Sequence, residues 1–250
     1  MVNFLFKKSY QLKTFKPIIY NDLWGKKGIF TTIRIIGNKP KYILLSNHIK
    51  NINFSLKKMK IKFLLTEEKI FILIGPLLNK YKVNDNLLRI AINSKIISFS
   101  LRPRLKIYKN FNAILTSYKR ANPSLKNLYY IKIINLLNKI NSQKKEIILL
   151  SKGLLLEGCT TNILCIRNSE IYIPKTNYYQ GVTMNYLLNE TNRIIKKFNI
   201  SVKKLYLYDE ILLVGSGKGV VSLSSISKIK WKRKSNLIYK ELLTSYKKLL

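Results

Sequence analysis

The sequence predicts a protein in two parts, of the α+β / α/β kind. Three observations carry that expectation. Short β-branched and apolar runs bounded by Gly, Pro or Asn recur along the chain and read as strands. Four stretches place apolar residues at spacings of three and four and read as amphipathic helices. The pattern changes at Arg102-Pro103-Arg104: before it the order is strand, helix, several strands, and after it strands and helices alternate. Residues 1–103 are therefore expected to form a small α+β domain with a mostly antiparallel sheet, and residues 104–250 a larger one. A chain of 250 residues with 47% hydrophobic content can bury a sizeable core, which excludes global disorder.

Residues 1–20 show no clear pattern. Gly28 to Ile36 is β-branched and alternating, a strand, and Gly37-Asn38-Lys39-Pro40 is a turn signal. Leu44 to Met59 reads as a helix on Leu45, Ile49, Ile52, Leu56 and Met59, capped by Ser46 or Asn47. Lys69 to Ile74, Leu87 to Ile92 and Ile96 to Leu101 read as strands. Beyond Pro103, Ala113 to Tyr118 is a strand and Lys119 to Pro123 a loop. Lys126 to Leu137 carries a helical stripe of Leu128, Ile131, Ile134 and Leu137. Glu146 to Leu150 and Leu154 to Leu156 are strands, and Asn162 to Arg167 with Glu170 to Pro174 forms a hairpin. Gly181 to Phe198 reads as one helix, Glu210 to Val214 and Val220 to Ile226 as strands, and Tyr239 to Leu250 as the last helix.

Charge and cysteine content bound the function. The net charge is +36, which taken alone suggests nucleic acid or an anionic membrane surface. Only eight of the 47 basic residues are Arg, and the Lys are spread among Ile, Asn, Leu and Tyr, the residues that A/T-rich codons supply. Dedicated binders gather their basic residues on one face or in a tail. A basic RNA-binding protein without catalysis is thus the remote alternative, and specific nucleic-acid binding is not expected. Two cysteines, Cys159 and Cys165, suggest neither a disulfide framework nor a metal site, and a single histidine, His48, excludes a multi-His centre. The longest apolar run, Ile70 to Leu78, is too short for a bilayer, and the N-terminus lacks a signal-peptide core. A cytoplasmic protein without a membrane role is expected.

One stretch stands out. Leu154 to Asn162, LLLEGCTTN, runs three leucines into the carboxylate of Glu157. A charge at the end of a buried strand must take a proton or find a cationic partner. A structural ion pair satisfies that need, and so does a cationic ring nitrogen of a ligand. Gly181-Val182-Thr183 opens a helical pattern, and Gly215-Ser216-Gly217 closes a strand. Together they offer two turns rich in N–H donors, suited to a phosphate.

These residues resemble the class-IV aminotransferase family, which groups branched-chain and D-amino-acid aminotransferases with 4-amino-4-deoxychorismate lyase. Four blocks match in order: GIFTTIR (Gly28 to Arg34), RP (Arg102-Pro103), LEGCTTNILCI (Leu156 to Ile166) with GVT (Gly181 to Thr183), and DEILLVGSGKGVVSL (Asp209 to Leu223). The resemblance implies a fold-type IV pyridoxal-phosphate enzyme, with the cofactor between two domains, residues 104–250 binding it, and a homodimer as the assembly. It also implies a lysine that carries pyridoxal 5′-phosphate as a Schiff base. Lys109 and Lys126 both fit a local pattern. The family places its lysine some thirty residues before the glutamate; Lys126 precedes Glu157 by 31 residues and Lys109 by 48, which selects Lys126. Lys109 is then an ordinary surface lysine.

The resemblance assigns Lys126 as the cofactor lysine and general base, and Glu157 as the partner of the pyridine nitrogen. Val182, Thr183, Ser216 and Gly217 are assigned to the phosphate. Tyr130 lies either near the ring hydroxyl or in simple packing. Arg102 resembles an arginine that reaches a neighbouring subunit's site to hold a substrate carboxylate, and Phe30 and Thr32 line the substrate pocket. No metal is implied. The family's phosphate-gripping arginine, three residues after the helix histidine, is Asn51 here, which donates hydrogen bonds without charge. GSGKG (Gly215 to Gly219) is not a Walker A loop: Leu212 stands where that motif needs its first Gly, and Gly219 replaces its Ser or Thr. The short chain and Phe30-Thr31-Thr32 favour 4-amino-4-deoxychorismate lyase, which releases pyruvate and 4-aminobenzoate for folate synthesis. Thr32 is then also the catalytic hydrogen-bond donor to the departing group. Arg102-Pro103 favours the alternative, a branched-chain or D-amino-acid aminotransferase using 2-oxoglutarate.

Overall fold

The computed structural model describes residues 3–81 and 84–250. The chain forms two compact units: Met1–Arg104 with Leu125–Ile131, and Leu105–Ser124 with Lys132–Leu250. No sequence pattern announces that residues 125–131 return to the first unit.

The first unit is built on a six-stranded sheet. Its strands are β1 (Phe6–Gln11), β2 (Pro17–Ile18), β3 (Ile29–Ile36), β4 (Lys41–Tyr42), β5 (Asp85–Ile92) and β6 (Ile96–Pro103), in the order β2-β1-β6-β5-β3-β4. Every pairing in it is antiparallel, as expected. Side chains alternate across the pleat. Ile29, Ile33, Ile35, Leu88, Ile90, Ile97, Phe99 and Leu101 face one side and form a core with α1 (Leu45–Lys58) and α2 (Glu67–Lys80). The register sets Phe30, Thr32, Arg89, Ser100 and Arg102 on the opposite face.

Two expectations fail in this unit. Lys69 to Ile74 lies inside helix α2, not in a strand. Thr66 caps that helix by accepting from the Lys69 amide at 3.2 Å, and Glu67 and Glu68 complement its dipole. Ile70, Leu73, Ile74 and Leu78 then fall on one buried stripe, and Pro76 is tolerated within it. Neither Ser46 nor Asn47 caps α1. Leu44 occupies the cap position in the left-handed region with no side-chain cap bond, and Ser46 Oγ donates to Glu67 at 2.9 Å.

The second unit holds an eight-stranded mixed sheet. Its strands are β7 (Phe111–Ser117), β8 (Lys145–Ser151), β9 (Leu154–Gly158), β10 (Asn162–Arg167), β11 (Glu170–Pro174), β12 (Ile195–Phe198), β13 (Glu210–Gly215) and β14 (Gly219–Ile226), ordered β12-β11-β10-β13-β14-β7-β8-β9. Alternation along β10 and β13 separates two cores. Ile163, Cys165, Ile211 and Leu213 face one, while Leu164, Ile166, Leu212 and Val214 face the other, beneath α4 (Val182–Glu190) and α5 (Leu237–Lys247). Buried Glu210 caps α5, accepting from the amides of Ile238 and Tyr239 at 3.0 and 2.8 Å. Asn168 and Ser169, both at positive φ, close the expected β10–β11 hairpin.

Two helices are shorter than their periodicity suggests. Only Ile131–Leu137 (α3) is helical in the stretch from Lys126, because residues 126–128 pair with the start of β3. Likewise α4 ends at Glu190. Residues Ile195–Phe198 form β12, parallel to β11, with Ile194, Ile195 and Phe198 exposed instead of lining a helix stripe.

Candidate active site

Lys126 is placed by backbone pairing. Its carbonyl accepts from the Phe30 amide at 2.9 Å, and Leu128 N donates to Gly28 O at 2.9 Å. Gly28 is required for that approach: a Cβ there would lie 2.5 Å from Ile92 O and 2.7 Å from Leu128 Cδ1. Lys126 Nζ lies 5.2 Å from the Phe30 ring centroid. Tyr130, buried, packs edge-on to Phe30 at 5.1 Å and stacks on Trp24 at 5.6 Å. The first unit thus gathers Lys126, Tyr130 and Phe30. Thr32, partly exposed, shares the Phe30 face and pairs in register with Arg89. Arg102 sits one row further along, opposite Leu87, with Nη1 donating to Pro103 O at 3.3 Å; burial pulls its pKa down. Lys109 is exposed, in the second unit.

On the core side of the same strand, Thr31 Oγ1 and His48 Nδ1 are 2.7 Å apart. Burial, then the charge of Lys126, pushes the His48 pKa down to about 3, so the ring is neutral at physiological pH. Asn51 is partly buried one turn on, in α1.

In the second unit the cationic partner of Glu157 is Arg120. Arg120 Nε and Nη2 donate to the two carboxylate oxygens at 2.7 and 3.0 Å, and both residues are buried. The Tyr179 amide donates to Oε2 at 3.1 Å. Removing one member of such a buried pair typically costs about 3–5 kcal/mol. The sequence shows that Glu157 needs a cation but does not single out Arg120, which stands in the loop before Asn122-Pro123. A second relay runs from Tyr179, whose carbonyl accepts from Asn162 Nδ2. Asn162 Oδ1 in turn accepts from the Gly181 amide at 3.1 Å, at the cap of α4. The buried Thr183 Oγ1 lies 3.3 Å from Ser216 Oγ. The first turn of α4, starting at Val182, and the turn holding Ser216 and Gly217 are thereby brought together.

Two residues outside the sequence-derived set, Trp24 and Arg89, join the first unit's aromatic group. Arg89 Cζ lies 3.7 Å from the Trp24 ring centroid and 5.4 Å from that of Phe30. Burial pulls the Arg89 pKa down to about 10, against Tyr20 and Asp22, which raise it. Cys159 and Cys165 are free and buried, and burial pushes both thiols up. Among the described residues no helix is long and apolar enough to cross a membrane.

A mixed two-sheet α+β architecture, with a buried glutamate beside two hydroxyl-bearing turns, fits an enzyme of the aminotransferase type. The amino-transferase class IV family matches residues 28–226, most of the chain, and the protein belongs to that family and is an enzyme of it. It is 22% identical over 262 aligned positions to the aminodeoxychorismate lyase of Bacillus subtilis (strain 168), covering 93% of this chain and 88% of that one. Among solved structures it is similar to the branched-chain aminotransferase of Thermoproteus uzoniensis with norvaline: TM-score 0.78, 18% identity, 96% of this chain and 93% of that one. A hypothetical aminotransferase from Mycobacterium tuberculosis, in a PLP-bound form, matches with TM-score 0.75 at 14% identity, over 96% and 98% of the two chains. The fold is therefore the fold-type IV architecture.

Proposed function

We propose that the protein is a pyridoxal-phosphate enzyme acting as 4-amino-4-deoxychorismate lyase, releasing pyruvate and the 4-aminobenzoate used for folate. The observation that carries this reading is Thr32, a hydroxyl on the same sheet face as Phe30, in a chain whose curated lyase relative aligns along nearly its whole length. The assembly we propose is a homodimer, and the substrate a small molecule.

The residues present fit the cofactor. Glu157 accepts three hydrogen bonds, and a carboxylate has about four acceptor sites, so one N–H from a ring nitrogen fits. The α4 N-terminus has no side-chain cap bond, and two hydroxyls converge beside it, a donor set suited to a phosphate. Asn51 leaves that set without the arginine familiar in the family.

When bound, pyridoxal phosphate supplies an aldehyde for the substrate amine and a ring that withdraws electrons from the neighbouring carbon. Lys126 would hold the cofactor through its aldehyde carbon. Its Nζ would act as the general base for the proton on the carbon bearing nitrogen. Arg120 holds Glu157 in one orientation, so its remaining acceptor site points one way. Thr32 donates a hydrogen bond to the ether oxygen as the enolpyruvyl group departs, and Arg102 holds a carboxylate. Loss of the ring proton and breakage of that C–O bond leave an aromatic amine and pyruvate.

A second reading, an aminotransferase using 2-oxoglutarate, is favoured by Arg102-Pro103 and by the branched-chain aminotransferase among the structural neighbours. One experiment separates the two. Protein purified with pyridoxal phosphate is supplied with aminodeoxychorismate and followed for 4-aminobenzoate, beside leucine with 2-oxoglutarate followed for glutamate. We expect 4-aminobenzoate, its formation slowed by Thr32→Val, and borohydride fixing the cofactor on Lys126. Glutamate without 4-aminobenzoate overturns the lyase reading in favour of the second. A borohydride label on Lys109 overturns the lysine assignment.

A further inference from the structure

Glu146 is a buried carboxylate to which the proposed reaction gives no part. Among the described residues three glutamates are buried: Glu157 holds Arg120, Glu210 caps α5, and Glu146 lies fully buried near the start of β8. Glu146 Oε1 accepts from the Ile147 amide at 3.1 Å. Its Oε2 accepts from Thr160 Oγ1 at 2.6 Å and lies 3.5 Å from Lys218 Nζ. Lys218 Nζ also donates to Thr160 Oγ1 at 3.3 Å, so the three groups close a ring. Gly158 leaves room for it: a Cβ there would lie 3.1 Å from Glu146 Cγ and would collide with Thr161 Oγ1.

The ring joins two stretches of the site. Thr160 follows Glu157 closely, just past the end of β9. Lys218 stands in the turn between the paired Gly215 and Gly219, directly after Ser216 and Gly217. Gly215 and Gly217 carry no side chain, so the turn's side-chain tethers are Ser216, 3.3 Å from Thr183 Oγ1, and Lys218. The buried Cys159 thiol feels the charges of Glu146 and Glu157 as well as those of Lys218 and Arg120, so the two buried ion pairs are near neighbours. A buried ion pair adds little to stability over an apolar pair of similar volume. What this one does is tie the Glu157 strand to the turn. We propose that Glu146 and Lys218, bridged by Thr160, are positioning residues that fix the distance between Glu157 and the Ser216-Gly217 turn, and so make the phosphate a strict requirement for the cofactor. This inference rests on the class-IV reading, with Glu157 at the ring nitrogen and the turn at the phosphate. The pair is neutral as a whole, so it acts by placing the Ser216 hydroxyl and the Gly217 amide, not by adding charge. A hydrogen bond weakens steeply once its donor leaves the line to the acceptor.

The test compares two cofactor forms that differ only in the phosphate, with a binding readout independent of turnover. The full chain, freed of cofactor, is titrated with pyridoxal phosphate and, separately, with pyridoxal. The visible absorbance of the lysine-bound aldehyde gives both affinities. Lys218→Met keeps the stem and removes the charge, and Glu146→Gln keeps an acceptor for Thr160. Each should lower the affinity for pyridoxal phosphate at least about tenfold, the scale of one charge-assisted hydrogen bond, and leave that for pyridoxal within about twofold. Thr160→Val, at an exposed position, should shift the ratio of the two affinities in the same direction, and it decides the matter if a buried variant does not fold. A wild-type ratio in folded Lys218→Met or in Thr160→Val overturns the proposal, even with a lower melting temperature, because the ring would then serve stability alone. Equal losses for the two cofactor forms overturn it likewise. Ser216→Ala separates this inference from the reading beneath it. A ratio unchanged in Ser216→Ala takes the turn out of the phosphate site and defeats both. A ratio that falls in Ser216→Ala but not in Thr160→Val defeats this proposal alone.

Discussion

His48 shows how one buried side chain couples the candidate site to pH. Its ring is neutral in the folded protein, with the pKa pushed down to about 3 by burial and by Lys126, whereas an unfolded histidine titrates near about 6.5. Below that value the unfolded chain binds a proton that the folded chain refuses, so stability falls as pH drops. The stabilising difference is fully present above about pH 6.5 and is lost at about 1.4 kcal/mol per unit from there towards pH 3. His48→Gln removes the titrating ring but keeps a group able to bond Thr31. We expect its melting temperature to lie below wild type at pH 7 and the gap to shrink steadily towards pH 4. A gap that stays constant across that range would show that His48 does not titrate on unfolding. Glu241, held below the usual carboxylate range by Arg193, loses its stabilisation in the same direction in both proteins and so cancels in the comparison.

At the scale of elements, the candidate lysine depends on one strand-to-segment pairing. Residues 126–128 lie along the start of β3, and Gly28 makes the approach possible because a Cβ would meet backbone oxygen on Ile92 as well as Leu128. Backbone cannot swing away as a side chain can, so Gly28→Ala must shift either β5 or the lysine segment. We expect a loss of about 1–3 kcal/mol in denaturant unfolding, the range of an overpacked core, together with slower borohydride labelling of Lys126. Wild-type stability and labelling would mean that the segment is not held against the strand. This pairing also marks where sequence reading ran out. Strands β3, β5 and β6 of the first sheet and the β10–β11 hairpin were legible because alternation and turn residues are local signals, whereas β1, β2 and β4 carry no such pattern and take their place from the strands they pair with. The lysine segment was not: Leu128, Ile131, Ile134 and Leu137 have helical spacing, yet Asn127 bridges Ile29, a partner far away in sequence. Ile195 to Phe198 failed for the same reason, its strand being templated by β11. In the candidate site, the anion at Glu157 and the two turns were readable as residue types. Arg120 was not, because one loop guanidinium among 47 basic residues carries no periodic mark. Arg89 was hidden likewise, since only strand register reveals that it faces Thr32.

For the molecule as a whole, the net charge of +36 remains to be placed. The structure spreads its lysines over both units instead of gathering them. Lys7 and Lys8 are exposed on β1, Lys57 and Lys58 at the end of α1, Lys196 and Lys197 on β12, and Lys247 and Lys248 at the end of α5. Such a surface attracts any polyanion but presents no aromatic platform or recognition helix interleaved with its charge among the described residues. Attraction of that kind comes from released counterions, and its logarithm falls linearly with the logarithm of salt. We therefore expect labelled oligonucleotides to bind at low salt with little regard for sequence. If six to ten phosphates are neutralised, affinity should fall by about 10³–10⁵ between roughly 50 and 200 mM salt. Replacing Lys196 and Lys197 by Gln should weaken binding no more than replacing Lys57 and Lys58, because no patch dominates. Tight binding that survives the higher salt and selects one sequence would show a built nucleic-acid site, and the RNA-binding reading would then displace catalysis as the main role of this charge.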